Sequence, residues 1–156
     1  MQQRPTRKEV PEHLTWNLTD IFESDAAWEK ALTNVLNNIS TVTKYEGRLH
    51  EGPSMLFECL EAAETLSKRL AQVMSYARLK QSADGTDPLN QEAVGRASSV
   101  GAEIEAATAF IRSETLALPD GTLERYLDAE PRLKEFERFI TRMLNDKPFL
   151  LHPETE

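Results

Sequence analysis

Three histidines, one cysteine and a surplus of carboxylates are the groups through which this 156-residue chain could do chemistry. His13, His50 and His152 are scattered, and none has a second histidine four residues away. The chain therefore carries no His-Glu-x-x-His helix, the spacing that turns two imidazoles onto one face to grip zinc. Each histidine reads as a solvated loop side chain. Cys59, with Phe57 and Leu60 beside it on an amphipathic stretch, reads as a small packed residue rather than an activated nucleophile. No Gly-x-Ser-x-Gly elbow and no Gly-rich phosphate loop occur. Asp84, Gly85, Thr86 and Asp87 supply the acids of a calcium loop, but the glycine comes too early and the ligand spacing fails. The carboxylate pairs Glu61/Glu64 and Glu103/Glu105 read as solvated helix positions, not as acid–base partners. Arg78 and Lys80 close a helix, where positive charge offsets the macrodipole. A carboxylate di-metal bundle would want Glu-x-x-His pairs on two helices, and there are none. The residues thus predict no catalytic, cofactor-binding or metal-binding set of the chain's own.

Composition narrows the class. Hydrophobic residues make up 40% of the chain and charged residues 28%, which suits a globular protein. Leu, Ala and Glu abound while β-branched and aromatic residues are sparse, which favours helix. The formal charge of −8, with no Lys/Arg run of five or more, repels nucleic acid and anionic membrane. No apolar run is long enough to span a bilayer, and the charged N-terminus has no apolar stretch behind it, so it is not a secretory signal. A single cysteine excludes an intrachain disulfide and fits a reducing compartment, so the expected location is cytoplasmic. The triplets Asn17-Leu18-Thr19 and Asn38-Ile39-Ser40 have no consequence there.

The elements that must position any site are helices. Residues 1–23 read as an extended arm, broken by Pro5 and Pro11, that lies across helices and buries Trp16 and Phe22. Ser24 caps a first helix, with Asp25 in its first turn and Trp28, Leu32, Val35, Leu36, Ile39 and Val42 as one stripe over about five turns. Gly47 ends it. Pro53 opens a second helix running to about Lys80, with Leu56, Leu60, Ala63, Leu66, Leu70, Val73, Met74 and Ala77 on one face. Residues 82–88 form a loop, from which Asp87 or Thr86 caps a third helix from about Pro88 to Leu116. Its stripe is Leu89, Ala93, Ala97, Val100, Ile104, Ala107, Phe110 and Ile111. Gly95 and Gly101 each cost about 1 kcal/mol there relative to Ala, and close helix packing is the expected compensation. Short helices start at Pro119 and Pro131, the second ending at Pro148. Pro153 and Glu154 read as the start of another helix, so the chain reads as incomplete. The predicted fold is all-α: an arm over 1–23, a three-long-helix antiparallel array over 24–118, and short helices over 119–156 that begin a further region.

Three stretches together resemble the start of the oligoendopeptidase F family. The first runs Pro11, Glu12, His13, Leu14, Thr15, Trp16, Asn17, Leu18, Thr19, Asp20, Ile21, Phe22, followed by Ser24, Asp25 and Trp28. It is similar to the family's opening Trp-Asp-Leu-Thr-Asp-Ile-Phe arm. The second is Ser75 to Lys80 with Asp84, Thr86 and Asp87, similar to the end of the family's second helix and the loop after it. The third, Leu144 to His152 with Lys147 and Pro148, resembles the family's Lys-Pro-His-x-Leu region, with Phe149 where a histidine is usual. The resemblance covers essentially the whole chain, and the arm is its specific part.

That resemblance implies a role in a zinc metalloendopeptidase that hydrolyses short peptides. In the family a His-Glu-x-x-His helix and a downstream glutamate bind the zinc far along the chain, and none of those residues lies here. No catalytic or metal residue carries over. The implied role is that of a wall of a deep substrate channel. The implied partners are a downstream catalytic domain of the same protein and an oligopeptide substrate. Zinc is implied in the full-length parent and no cofactor in this segment. The competing reading is a self-standing helical interaction module without activity. If the chain lacks its partner domain, part of an apolar stripe is uncovered, which predicts self-association of the isolated chain.

Overall fold

A computed structural model describes residues 9–150. His152 and the helix start expected at Pro153 lie outside the described residues, as does the charged stretch over 1–8. Every regular element among the described residues is helical. The chain divides into two compact units: one formed by the residues up to Asn38 with Leu66–Ile104, the other by Ile39–Thr65 with the residues from Glu105 onward.

In the first unit, helix α1 spans Asp25–Asn37. Ser24 holds an extended backbone and its hydroxyl accepts from the Ala27 N–H at 3.2 Å, which satisfies one of the donors a helix start leaves orphaned. Trp28, Leu32 and Val35 are its buried face. The helix is shorter than the stripe suggests. It stops at two successive asparagines, residues of low helix propensity, where the Asn38 side-chain amide joins its own N–H on the Asn34 carbonyl, at 2.7 and 3.1 Å. Leu36 is accordingly exposed.

Helices α3 (Pro53–Ala83) and α4 (Pro88–Ala117) each pass through both units, and a single turn, α2 (Ser40–Thr43), precedes them. Within the first unit the turn between α3 and α4 is built from side chains. Asp84 accepts from the Thr86 N–H and hydroxyl at 3.1 and 2.7 Å. Asp87 caps α4 through the Leu89 N–H at 2.9 Å. The buried Asn90 amide donates to the carbonyls of Lys80 and Asp84. Gly101 sits where α3 comes close: a methyl there would meet Leu70 and Met74 at 3.8 and 3.9 Å. Gly95, by contrast, faces open space, so the expected packing reason fails for it. Leu89, expected in the stripe, is 71% exposed, because the first turn of α4 is spent on the loop.

In the second unit Val42, Leu49, Leu56, Cys59, Leu60, Phe110, Ile111, Leu123, Leu133, Ile140 and Met143 form the core. Helices α5 (Thr122–Ala129) and α6 (Glu137–Leu150) flank a 3-10 segment, Pro131–Phe136. Helix α6 carries on through Pro148, where an end was expected.

The arm also departs from expectation. It folds into two 3-10 turns, Glu12–Leu14 and Leu18–Asp20, the second capped by Asn17. Phe22 packs edge-on against Tyr76 at 5.4 Å between ring centres. Trp16, expected in the interior, is 65% exposed, because the turns spend its segment on local hydrogen bonds and leave the indole outside.

Candidate functional site

The side chains capable of chemistry gather in one cluster per unit. In the first, α1 lies against α3 and α4 through Trp28, whose indole N–H donates to the Val73 carbonyl at 2.9 Å. Tyr76 stacks on that indole with ring centres 6.4 Å apart, and the Arg96 guanidinium sits 5.6 Å above it. Charges close the rim. Asp25 accepts from the Tyr76 hydroxyl at 2.9 Å and from Lys80 at 2.6 and 2.7 Å. Glu29 takes both guanidinium arms of Arg96. Together with Leu89, Glu92 and Ala93 these groups line a recess of about 230 Å³.

The electrostatics are those of ion pairs. The Lys80 ammonium holds the Asp25 carboxyl below its usual range, and Arg96 does the same for Glu29. Tyr76 is pushed up to about 12, first by burial and then by its bond to the Asp25 carboxylate. A general acid needs a carboxyl raised toward neutrality, and these are moved the other way.

The second cluster ties loops to helices. The Glu114 carboxylate accepts from the backbone N–H groups of Gly47 and Leu49 at 2.5 and 3.4 Å. Gly47 is at φ +76°, a left-handed turn that a Cβ disfavours. Glu130 accepts from the Arg132 side chain at 2.9 and 2.6 Å and from the Ser54 hydroxyl at 3.4 Å. Arg132 holds its carboxyl down to about 2. The Arg132 guanidinium also lies 4.2 Å over the Phe57 ring. Tyr126 donates to the His50 carbonyl at 3.1 Å.

The residues singled out in the sequence are not brought together. The side chains of His13 and His50 are exposed, and so are Glu61, Glu64, Glu103 and Glu105. Cys59 is wholly buried, and that burial, with Glu114 nearby, pushes its thiol up to about 12, the opposite of a nucleophilic thiolate. Among the described residues no three His, Cys, Asp or Glu side chains converge as metal ligands would, and no buried side-chain nitrogen or oxygen lacks a partner. These residues do not fit a zinc ion. Sequence reasoning missed the pairs Asp25–Lys80 and Glu29–Arg96. Each joins residues far apart in the chain, and no spacing in the sequence signals their meeting. What the arrangement does chemically is lock helices in register.

Comparison with known proteins places this geometry. Residues 114–156 match the family model Peptidase_M3_N, described as Oligopeptidase F. The chain is 29% identical over 154 residues to oligopeptidase PepF of Bacillus subtilis (strain 168), covering 99% of this chain and 23% of that protein. It is 27% identical over 150 residues to the group B oligopeptidase PepB of Streptococcus agalactiae, covering 96% of this chain and 25% of that one. The crystal structure of oligoendopeptidase-F from Enterococcus faecium shares the all-α fold, with a TM-score of 0.72 at 22% identity over 80% of this chain and 24% of that chain. This chain therefore spans about a quarter of the length of the relatives it matches.

Proposed function

We infer that this chain, which corresponds to the N-terminal region of the oligopeptidase F proteins, is the channel-wall segment of a zinc metalloendopeptidase that hydrolyses short peptides. The observation that carries the reading is the likeness to oligopeptidase PepF along nearly the whole chain. Zinc held elsewhere in the longer protein would supply polarisation of the scissile carbonyl and activation of water. This segment gives the channel shape instead.

The clusters support that division of labour. The pairs Asp25–Lys80 and Glu29–Arg96 tie α1 to α3 and α4 within the first unit, which stiffens that part of the wall. A stiff wall admits an extended oligopeptide and turns away a folded protein, and it keeps bulk water from the reacting bond. The net charge of −8 favours the approach of cationic peptides at low salt. The partners are the downstream catalytic region and the oligopeptide substrate, and the working compartment is the cytoplasm.

The test uses the intact gene product with two substrates that carry one cleavage sequence, a quenched oligopeptide and the same sequence in a loop of a folded protein. The reading predicts chelator-sensitive cleavage of the oligopeptide and survival of the folded protein. Equal cleavage of both would remove the gating role, and no cleavage of either would remove the peptidase.

A further inference from the structure

The arm presents an apolar surface that none of the described residues of its unit covers. Leu14 is 69% and Trp16 65% exposed, although the flanking 3-10 turns hold the backbone on both sides. The two line a recess of about 200 Å³ with Thr15, Leu18, Ser82 and Ala83. None of these six residues is charged, on a chain in which 28% of residues are. Depletion of charge around an exposed indole is the compositional mark of an interface core, not of a solvated surface. The small Ser82 and Ala83 at the end of α3 leave room for an incoming side chain, which fixes the partner's chemistry: a single large apolar residue on a neutral surface.

Resting on the reading above, we propose that this recess docks a part of the same polypeptide beyond residue 156, with Trp16 as the anchor. The relatives match this chain nearly end to end and yet are about four times as long, so a parent of their length would hold this partner in cis. Tethering supplies a high effective concentration, so a patch this small suffices without the area a free dimer needs.

Hydroxyl-radical footprinting of the intact gene product, read by mass spectrometry at each tryptophan, tests the proposal. Trp28, buried in its own unit, is the internal standard for protection. The expected result is that Trp16 is labelled several-fold more slowly in the native protein than after urea unfolding, to the same degree as Trp28 and independently of protein concentration. Labelling of Trp16 near its unfolded rate overturns the proposal, and so does protection that fades on dilution, which would assign the recess to a second copy. An open reading frame that stops after residue 156 overturns it together with the peptidase reading. An exposed Trp16 in a protein that still cleaves oligopeptides sinks the docking surface alone.

Discussion

Replacing Trp28 with Phe removes three interactions while leaving an apolar ring in place, and the structure sets their sizes. The indole N–H bond to the Val73 carbonyl, at 2.9 Å and buried, is worth about 1 kcal/mol net. That carbonyl lies within α3 and keeps its helical partner, so the larger cost of an orphaned buried group does not apply. The Arg96 guanidinium at 5.6 Å loses the better of two aromatic faces, about 0.5 kcal/mol for a half-exposed cation. The smaller ring leaves part of the α1–α3 contact unfilled, about 1 kcal/mol more. Trp28→Phe should therefore cost roughly 2–3 kcal/mol, a sizeable share of the stability of a domain. Urea unfolding followed by far-UV circular dichroism should show the midpoint fall at an unchanged slope. A loss below about 0.5 kcal/mol, the range of an ordinary surface substitution, would refute the view that Trp28 pins α1 to the long helices.

Three further outcomes follow from single residues. Gly95→Ala, at an exposed helical site where a methyl meets nothing, should stabilise the chain by up to about 1 kcal/mol in the same urea assay. The Cys59 thiol should resist a disulfide-exchange reagent in the native chain and react at once in urea, since burial and a value of about 12 leave little thiolate at neutral pH. Asp25 is held below its ordinary 3.8, so its contribution is full above that value and disappears as pH falls through the lower folded value. The urea midpoint should thus drop on acidification below about pH 4, and Asp25→Asn should make the drop shallower.

Much of this fold is written locally. The stripes of α3 and α4 put Leu56, Leu60, Leu66, Val73, Ala97, Val100 and Ile104 inside, and the caps at Ser24 and Asp87 behave as their side chains dictate. Periodicity misleads where local residues override it. The first helix stops at Asn37 and Asn38, which propagate a helix poorly although the apolar stripe runs on, and the Asp87 cap turns Leu89 outward. Pro148 shows the reverse, a breaker signal that the surrounding helix overrides. Asp25 and Lys80 were legible one at a time, as charges suited to opposite helix ends. That they bond one another depends on a tertiary crossing that no spacing in the chain encodes.

Zinc content is the most direct measure of the central claim that this segment contributes form and not ligands. After equilibration with zinc and exhaustive dialysis, elemental analysis should find the 156-residue chain empty and the intact gene product loaded. Chelation should strip that metal along with oligopeptide cleavage. Zinc held tightly by the side chains of this chain alone would contradict the account.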